Sequence, residues 1–283
     1  ERIQSVISTL QVRDRNNTYQ VTVSVGIALF PDHGQDSQEL LANADTALFQ
    51  AKAQGLGHLH CFTLDDQARE QIDTGESWRA KIAAGLEEDR FVLHFQPIVT
   101  TATGIIHHWE VLLRLRDPGG GLAYPDRFMP VAEKTGQIRA IDHWVLDRAI
   151  LCLGKEPRLR LAIRLSGSAM DDNGLLPTIQ RLLGKQRVDP TRLIFQMTED
   201  VAISNLVKAT ELMKAIEGFG CGFVLDDFGS GHASYTYLRR LPVDEIKIDG
   251  AFVRDLASNR DDRTFVRSTP EMAHGMGMRV TAK

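Results

Sequence analysis

Two adjacent carboxylates, Asp226 and Asp227, follow an apolar segment and precede Gly229 and Gly231. Neighbouring carboxylates of this kind hold divalent cations, and through those cations they act on phosphate groups. Residues 221–225 have the composition of a buried strand, and the glycines permit a sharp turn after it. A surface turn with solvated acids shows the same short pattern. The rest of the chain must therefore decide between a site and a turn.

Four other predicted strands carry chemically useful side chains on one face or at their ends. These residues are Glu110, Leu112 and Arg114 in the first strand, Arg164 and Ser166 in the second, Gln196, Thr198 and Glu199 in the third, and Lys247 and Asp249 in the fourth. Alternate residues of a strand share one face, so Lys247 and Asp249 are predicted to project together. This repetition favours a functional site over an isolated turn.

Segments with helical periodicity separate these strands. They cover residues 128–136, 141–154, 175–185 and 205–220, and the last of them ends at a glycine. Repeated alternation of strand and helix predicts a parallel α/β barrel. In such a barrel the site lies at the carboxyl ends of the strands, where the residues named above are expected to meet.

The motifs FQPI at 95–98, EVLLRL at 110–115, LDDFGSG at 225–231 and EIKIDG at 245–250 occur in a fixed order. With the segments between them, they closely resemble the EAL family of cyclic di-GMP phosphodiesterase domains over about residues 78–283. The resemblance implies a modified TIM (β/α)8 barrel. It also implies that active members hydrolyse cyclic di-GMP to pGpG with two divalent ions, Mg or Mn.

The first 63 residues resemble the trailing half of a GGDEF domain, the family of diguanylate cyclases. The similarity lies in VTVSVGIALF at 21–30 and in LLANADTALFQAKAQG at 40–55, which predict a strand and a helix. The signature loop of that family would precede residue 1, so no cyclase activity is assigned. We predict a partial GGDEF-like α/β domain at 1–63, a linker at 64–77 and an EAL-like barrel at 78–283. The chain is expected to be a piece of a longer protein, and the barrel is expected to lack its C-terminal end.

Composition excludes several classes of function. The formal net charge of −4 and the 43% hydrophobic content predict a folded protein without a preference for nucleic acid polymers. No apolar stretch reaches the roughly 18 residues of a membrane span. The three cysteines form no CxxC pair, which favours a reducing cytoplasm over disulfides or a zinc site. They are Cys61, Cys152 and Cys221.

Two histidine pairs suggest metal binding on first inspection. They are His107 with His108, and His58 with His60. Adjacent or alternate histidines without further ligands are more typical of surface or packing positions than of a metal site. We therefore predict no metal at either pair.

The resemblance retains some metal-site residues and replaces others. Glu110, Asp226, Asp227 and Lys247 match the family pattern, although the signature reads EVL in place of EAL. Arg164 stands where the family usually has Asn, Gln196 where it has the first Glu of ExTE, and Lys283 where it has a Glu of the last motif. These replacements raise the net charge of the site by four, which equals the charge of two divalent ions. The pattern therefore indicates a receptor without catalysis and without a metal cofactor.

The resemblance also implies the ligand contacts. Gln96 and Leu112 match positions that line the guanine and ribose pocket, and Arg114 matches an arginine that contacts the ligand phosphate. Glu110, Asp226 and Asp249 are predicted to contribute to the same pocket. Arg164 has two interpretations, a contact with phosphate or an ion pair with Glu110 or Asp226 that stabilises an obsolete site.

The replaced metal set and the EVL motif are similar to those of FimX-type receptors, which act in type IV pilus control. This similarity implies a PilZ-domain protein as a candidate partner and motility as a candidate output. A homodimer is also possible in this family. The loop after DDFG here carries Ala233 and Tyr235, which depart from the usual dimerisation pattern.

Three hypotheses follow from the sequence. The first is an inactive EAL domain that binds cyclic di-GMP as a receptor. The second is a working phosphodiesterase that uses Glu110, Asp226, Asp227 and Lys247 with Mg or Mn. The third is a scaffolding module with an empty pocket. The retained Gln96 and Arg114 argue against it, because an abandoned pocket does not need them.

Overall fold

The computed structural model describes residues 6–7, 11–14, 17–20, 22–53, 57–63, 77–230 and 235–283. The chain divides into two compact units, Glu1–Ala80 and Lys81–Lys283. The predicted linker at 64–77 and the loop residue Ala233 fall almost entirely outside the described residues. No helix in the described ranges is both long and apolar enough to cross a bilayer.

The first unit contains two small sheets and one long helix. Strands β1 (Gln11–Asp14) and β2 (Asn17–Gln20) pair antiparallel. Strands β3 (Val25–Ile27) and β4 (Leu59–Cys61) pair in parallel, and helix α1 (Ser37–Ala53) connects them. The predicted helix at 40–55 is confirmed, whereas the strand predicted at 21–30 is only three residues long.

Close packing between helix α1 and strand β3 explains the small residues of this strand. A Cβ atom added at Gly26 would lie 2.2 Å from the carbonyl oxygen of Ala44 and 2.2 Å from the backbone nitrogen of Leu48. Real Cβ atoms do not come so close to backbone atoms. Glycine is therefore required at this position because the helix backbone approaches the strand directly.

The second unit is built on one curled sheet with helices between its strands. Its strands are β5 (Phe91–Val99), β6 (Ile106–Arg116), β7 (Leu122–Ala123), β8 (Leu161–Arg164), β9 (Leu193–Thr198), β10 (Gly222–Phe228), β11 (Glu245–Ile248) and β12 (Arg279–Ala282). The helices are α2 (77–87), α3 (Pro125–Thr135), α4 (Ile138–Lys155), α5 (Leu175–Gln186), α6 (Glu199–Ser204), α7 (Leu206–Gly218), α8 (Tyr235–Leu238), α9 (Gly250–Arg254) and α10 (Arg260–Gly275). Two short 3₁₀ turns cover Gly167–Asp171 and Pro190–Arg192.

The strand order in the sheet is β12-β11-β10-β9-β8-β6-β5, and β7 pairs with β6. Every neighbouring pair from β6 to β12 in this order is parallel, as the alternation of strands and helices predicted. The pair β5 and β6 is antiparallel. Only residues 100–105 connect these two strands, which is enough for a hairpin and too short for a crossover to a parallel strand. The predicted fold class, a modified (β/α)8 barrel, is confirmed.

Apolar faces of the strands and helices form the core of the second unit. Ala162, Ile194 and Val224 form a buried cluster on strands β8, β9 and β10. Helix α4 buries a stripe of residues at helical spacing against the sheet. Burial of each large side chain in this stripe contributes about 1.5–3 kcal/mol to the free energy of folding. The core thereby fixes the strand ends that carry the polar residues.

Candidate functional site

A cavity of about 1050 Å³ opens on the inner face of the sheet. Six of the predicted site residues line it, namely Gln96, Glu110, Leu112, Arg114, Arg164 and Lys247. They come from strands β5, β6, β8 and β11, which are distant in the sequence and adjacent or nearby in the sheet. The barrel topology therefore brings together the residues that the motifs singled out.

Asp226 and Asp227 lie at the end of strand β10 next to Arg164. The Arg164 guanidinium donates a hydrogen bond to Oδ2 of Asp226 and lies 3.5 Å from Oδ2 of Asp227. The Asp226 side chain is fully buried, whereas 45% of the Arg164 side chain is exposed. The ion pair that was one interpretation of Arg164 is therefore present. The Arg164 side chain also lines the cavity, and a guanidinium carries five N–H donors in all.

Two lysines complete the ion pairs around these carboxylates. Nζ of Lys247 lies 2.5 Å from Oε2 of Glu110 and 3.8 Å from Oδ1 of Asp226. Nζ of Lys283 lies 3.1 Å from Oδ1 of Asp226 and also forms an ion pair with Asp227. Three carboxylates thus meet three cations, counting Arg164. We refer to these six residues as the carboxylate cluster.

The carboxylate cluster favours the ionised form of Asp226. Burial by itself raises the pKa of Asp226, but the charges of Lys247, Arg164 and Lys283 and a backbone hydrogen bond outweigh it, and the pKa is lowered. Burial likewise opposes the charge of Lys283, whose pKa is nevertheless raised by its contacts with Asp227 and Asp226. The cluster is a set of mutually compensated charges.

The backbone of strand β10 is distorted where the two acids lie. The pairing with β11 shifts register between Leu225 and Phe228, and Asp227 has a φ of 55°. The backbone N–H of Asp227 donates to Oδ1 of Asp226 at 2.9 Å. A non-glycine residue with positive φ costs free energy and is typical of functional sites. At this distortion both carboxylates contact Arg164 and Lys283.

The turn after the two acids requires glycine at Gly229. Its φ is 98°, and an added Cβ would lie 2.5 Å from the ring of Phe265 and 2.9 Å from that of Phe252. The predicted turn is confirmed at this position, and Gly231 lies outside the described residues. Glu199, which is fully buried at the start of α6, accepts hydrogen bonds from the Gly229 N–H at 2.8 Å and from the Tyr237 hydroxyl. Glu199 therefore anchors the turn.

Several polar residues of the motifs do not line the cavity, and Asp249 and Gln196 are two of them. Asp249 follows strand β11 and caps helix α9 by accepting a hydrogen bond from the Ala251 N–H at 2.7 Å. Gln196 is 1% exposed, and its Oε1 has no hydrogen-bond partner among the described residues. The prediction that Asp249 contacts a ligand remains untested, and its carboxylate is already engaged by the helix.

Arg114 occupies a different electrostatic environment from Arg164. Its NH1 group donates to the Leu113 carbonyl at 2.7 Å, and its guanidinium carbon lies 4.5 Å from the centre of the Tyr124 ring. Within the described ranges, no carboxylate oxygen comes within 4.0 Å of the Arg114 guanidinium. Arg114 thus lines the cavity without a carboxylate of the described residues in contact with its guanidinium.

Asp142 is a cavity residue that the motifs did not reveal. It accepts a hydrogen bond from the Ser166 hydroxyl at 2.5 Å, and Ser166 lies 2.7 Å from the Ser168 hydroxyl. Burial raises the pKa of Asp142 to about 6, even though the bonds from Ser166 oppose this rise. The sequence feature that could have revealed Asp142 is the presence of an acid within the apolar stripe of helix α4, directly after Ile141.

A second polar cluster lies at the amino end of the sheet. Ligand-type atoms of His107, His108 and Glu245 lie within 4.8 Å of one another. Arg160 lies 3.1 Å from Nε2 of His107, and Arg279 lies 3.2 Å from a Glu245 oxygen. Burial lowers the pKa of His108 to about 4. Because guanidinium groups already contact two of the three residues, this cluster is a hydrogen-bonded network that disfavours a further cation.

Family models match both parts of the chain. The EAL domain model matches residues 79–283, and the model for the diguanylate cyclase GGDEF domain matches residues 1–58. The chain is 34% identical to MucR of Pseudomonas aeruginosa, a bifunctional diguanylate cyclase/cyclic di-GMP phosphodiesterase. The alignment of 272 residues covers 93% of this chain and 39% of MucR. The cyclic di-GMP phosphodiesterase PdeB of Shewanella oneidensis is 34% identical over 288 residues, 100% of this chain and 34% of PdeB. The chain therefore spans well under half of these relatives.

Solved structures show the same fold. The MucR phosphodiesterase in complex with c-di-GMP has a TM-score of 0.68 and 33% identity, covering 73% of this chain and 85% of that one. The FimX EAL domain from Pseudomonas aeruginosa bound to c-di-GMP has a TM-score of 0.68 and 31% identity, covering 72% and 84%. The fold, the motifs and the family match agree, and this chain belongs to the EAL domain family, with part of a GGDEF domain ahead of the EAL domain.

Proposed function

We propose that this chain is a catalytically inactive EAL domain that binds cyclic di-GMP as a receptor in second-messenger signalling. One observation carries the proposal. Asp226 and Asp227, the acids that would hold divalent ions, form ion pairs with Arg164 and Lys283. Both cations stand at positions where the family usually has a neutral or acidic residue. The protein supplies from its own side chains the positive charge that metal ions supply in a hydrolase.

The residues of the carboxylate cluster do not fit a pair of divalent ions. Carboxylate oxygens are suitable ligands for Mg or Mn, and Glu110, Asp226 and Asp227 provide them. A guanidinium and an ammonium group, however, contact the same oxygens that an ion would use. Binding of an ion requires displacement of these groups and leaves them as nearby like charges. We therefore expect no metal cofactor and derive no metal-dependent step.

The cavity suits a ligand with phosphates and flat bases. Arg114 offers a guanidinium that none of the described carboxylates contacts and that can donate two hydrogen bonds to one phosphate. Gln96 and Leu112 provide an amide and an apolar surface on the neighbouring strands. The c-di-GMP complexes of MucR and FimX support cyclic di-GMP as the ligand. Glu110 and Asp226 act in this proposal by holding Lys247 and Arg164 in place.

A second candidate is an active phosphodiesterase that produces pGpG with Mg or Mn. The specific observation in its favour is the retention of Glu110, Asp226, Asp227 and Lys247 at one site. Relatives named as phosphodiesterases at 34% identity add support. This candidate requires that substrate and metal together displace Arg164 and Lys283 from the acids.

Calorimetric titration of cyclic di-GMP into the purified chain distinguishes these functions. One titration contains excess EDTA, a second contains Mn²⁺, and chromatography of the second mixture detects pGpG. Binding in EDTA without pGpG in Mn²⁺ is the expected result. Binding that requires Mn²⁺, accompanied by pGpG, supports the phosphodiesterase. No binding in either condition contradicts both functions and supports the scaffolding module.

An Asp226→Asn variant is the matched control for any hydrolysis observed. Hydrolysis by this site depends on a carboxylate ligand, so the variant loses activity if pGpG is a true product. Activity that persists in the variant comes from a contaminating enzyme and does not count against the receptor.

The output of the receptor is proposed by similarity to FimX. A PilZ-domain protein is the proposed partner, and pilus or motility control is the proposed process. Cys61, Cys152 and Cys221 are free thiols, which is compatible with a cytoplasmic protein. Co-purification with a tagged PilZ-domain protein, with and without cyclic di-GMP, tests the partner. A homodimer can be tested on the same sample by light scattering.

A further inference from the structure

Tyr124 packs its ring against the guanidinium of Arg114. The guanidinium carbon lies 4.5 Å from the ring centre, a distance typical of a cation–π interaction. The Leu113 carbonyl accepts a hydrogen bond from NH1 of Arg114 at 2.7 Å. The guanidinium is thus held by two groups, and neither of them is an anion.

The choice of an aromatic partner has an electrostatic consequence. A carboxylate would position the guanidinium equally well, but it would also compensate most of its charge, as Asp226 and Asp227 do for Arg164. A ring positions the guanidinium through its quadrupole and leaves the full positive charge for an anion. The cation that is intended for a phosphate is therefore best fixed by a neutral partner.

The location of Tyr124 agrees with a supporting function at the cavity. It directly precedes helix α3, whose residues Pro125, Asp126 and Met129 line the cavity. The Tyr124 side chain makes no capping hydrogen bond to this helix. It is 57% exposed, so it contributes little to the core. Packing and capping therefore do not account for a large aromatic residue at this position.

We propose that Tyr124 is a positioning residue that orients Arg114 toward a ligand phosphate without neutralising it. The inference rests on the proposed function, because it requires that Arg114 bind a phosphate of cyclic di-GMP. Tyr124 acts through Arg114. The hydroxyl group of Tyr124 is not needed for this action, and the aromatic ring is.

Calorimetric titrations of cyclic di-GMP in excess EDTA test the inference. Tyr124→Ala is expected to weaken binding by about fivefold to tenfold, which lies within the range of cation–π interactions. Tyr124→Phe keeps the ring and is expected to bind within about twofold of the unchanged chain. Tyr124→Leu keeps apolar bulk without a quadrupole and is expected to resemble the Ala variant. Equal binding by the Ala variant and the unchanged chain overturns the inference.

A double-mutant cycle separates positioning from direct stacking on the ligand. In an Arg114→Ala background, Tyr124→Ala is expected to change affinity by less than about twofold, since its only target is gone. An undiminished loss in that background means that Tyr124 contacts the ligand independently, and it overturns the positioning assignment. Failure of the unchanged chain to bind overturns the proposed function itself, which is a distinct result. Urea unfolding of each variant verifies that the fold is intact.

Discussion

Arg164 and Arg114 both line the cavity and differ in what surrounds their charge. Arg164 belongs to the carboxylate cluster and is paired with Asp226 and Asp227. Arg114 lies against the Tyr124 ring, and no carboxylate oxygen of the described residues lies within 4.0 Å of its guanidinium. The comparison indicates that a positive charge can hold a site together or bind an anion, and that its partner determines which of the two dominates.

This difference separates stability from affinity. Residues of the carboxylate cluster are expected to influence the free energy of unfolding, because their charges are buried and interdependent. Arg114 and Tyr124 are expected to influence ligand affinity with little change in the free energy of unfolding.

Replacement of Lys247 by Met is expected to have the largest effect. Lys247 is 3% exposed and lies 2.5 Å from Glu110, so its loss leaves a buried carboxylate without a partner. Loss of one member of a buried ion pair costs about 3–5 kcal/mol of unfolding free energy. Urea unfolding followed by circular dichroism measures this loss. The double variant Lys247→Met with Glu110→Gln should recover part of it, and a loss below about 1 kcal/mol contradicts the assignment.

The pH dependence of stability should reveal Asp142. Its pKa in the folded protein is raised from 3.8 to about 6, so the folded state binds its proton more tightly than the unfolded state. The associated stabilisation is complete below about pH 4 and is lost as the pH rises through about 6, a change of about 3 kcal/mol. The difference in unfolding free energy between wild type and Asp142→Asn, measured from pH 4 to 7, reports this change.

Asp147→Asn is the matched control for this titration. Asp147 lies on the exposed face of the same helix, and its replacement should leave the profile unchanged. A profile of Asp142→Asn that runs parallel to the wild type rules out the raised pKa.

Arg114→Ala is expected to weaken cyclic di-GMP binding by about 10-fold to 100-fold. The reason is the loss of charged hydrogen bonds to phosphate, which contribute about 1.5–3 kcal/mol each. Stability should change by less than about 0.5 kcal/mol. Calorimetry in EDTA measures the affinity. Arg116→Ala, at the exposed end of the same strand, serves as the control and should bind normally. Equal affinities of the two variants would contradict the proposed role of Arg114 in ligand binding.

Arg164→Ala is expected to have the smallest effect on affinity, about threefold to tenfold. Its charge is shared with Asp226 and Asp227, so less of it is available to a phosphate. The same calorimetric series measures it, and Arg164→Lys retains the charge with fewer donors. A greater loss of affinity for Arg164→Ala than for Arg114→Ala means that Arg164, and not Arg114, is the main phosphate-binding arginine.

Much of the fold could be predicted from the sequence because hydrophobic periodicity is a local property. The helices α3, α4, α5 and α7 follow from it, as does the parallel pairing of the sheet's strands β6, β8, β9, β10, β11 and β12. The antiparallel direction of β5 could not be predicted from this periodicity, since the direction of a strand depends on how it pairs with its neighbour. The short connection at 100–105 was the available clue.

The sequence by itself determined the family, the motifs and the charge replacements at Arg164, Gln196 and Lys283, because these depend on residue identity alone. Only the tertiary structure decided how those charges are used. It paired Arg164 and Lys283 with two acids, engaged Asp249 in a helix cap, buried Asp142 and placed Tyr124 against Arg114. These contacts join residues that are up to 137 positions apart in the chain, as in the pair of Lys247 with Glu110. Electrostatic partners are set by distance in space, and that distance is absent from residue types and spacing.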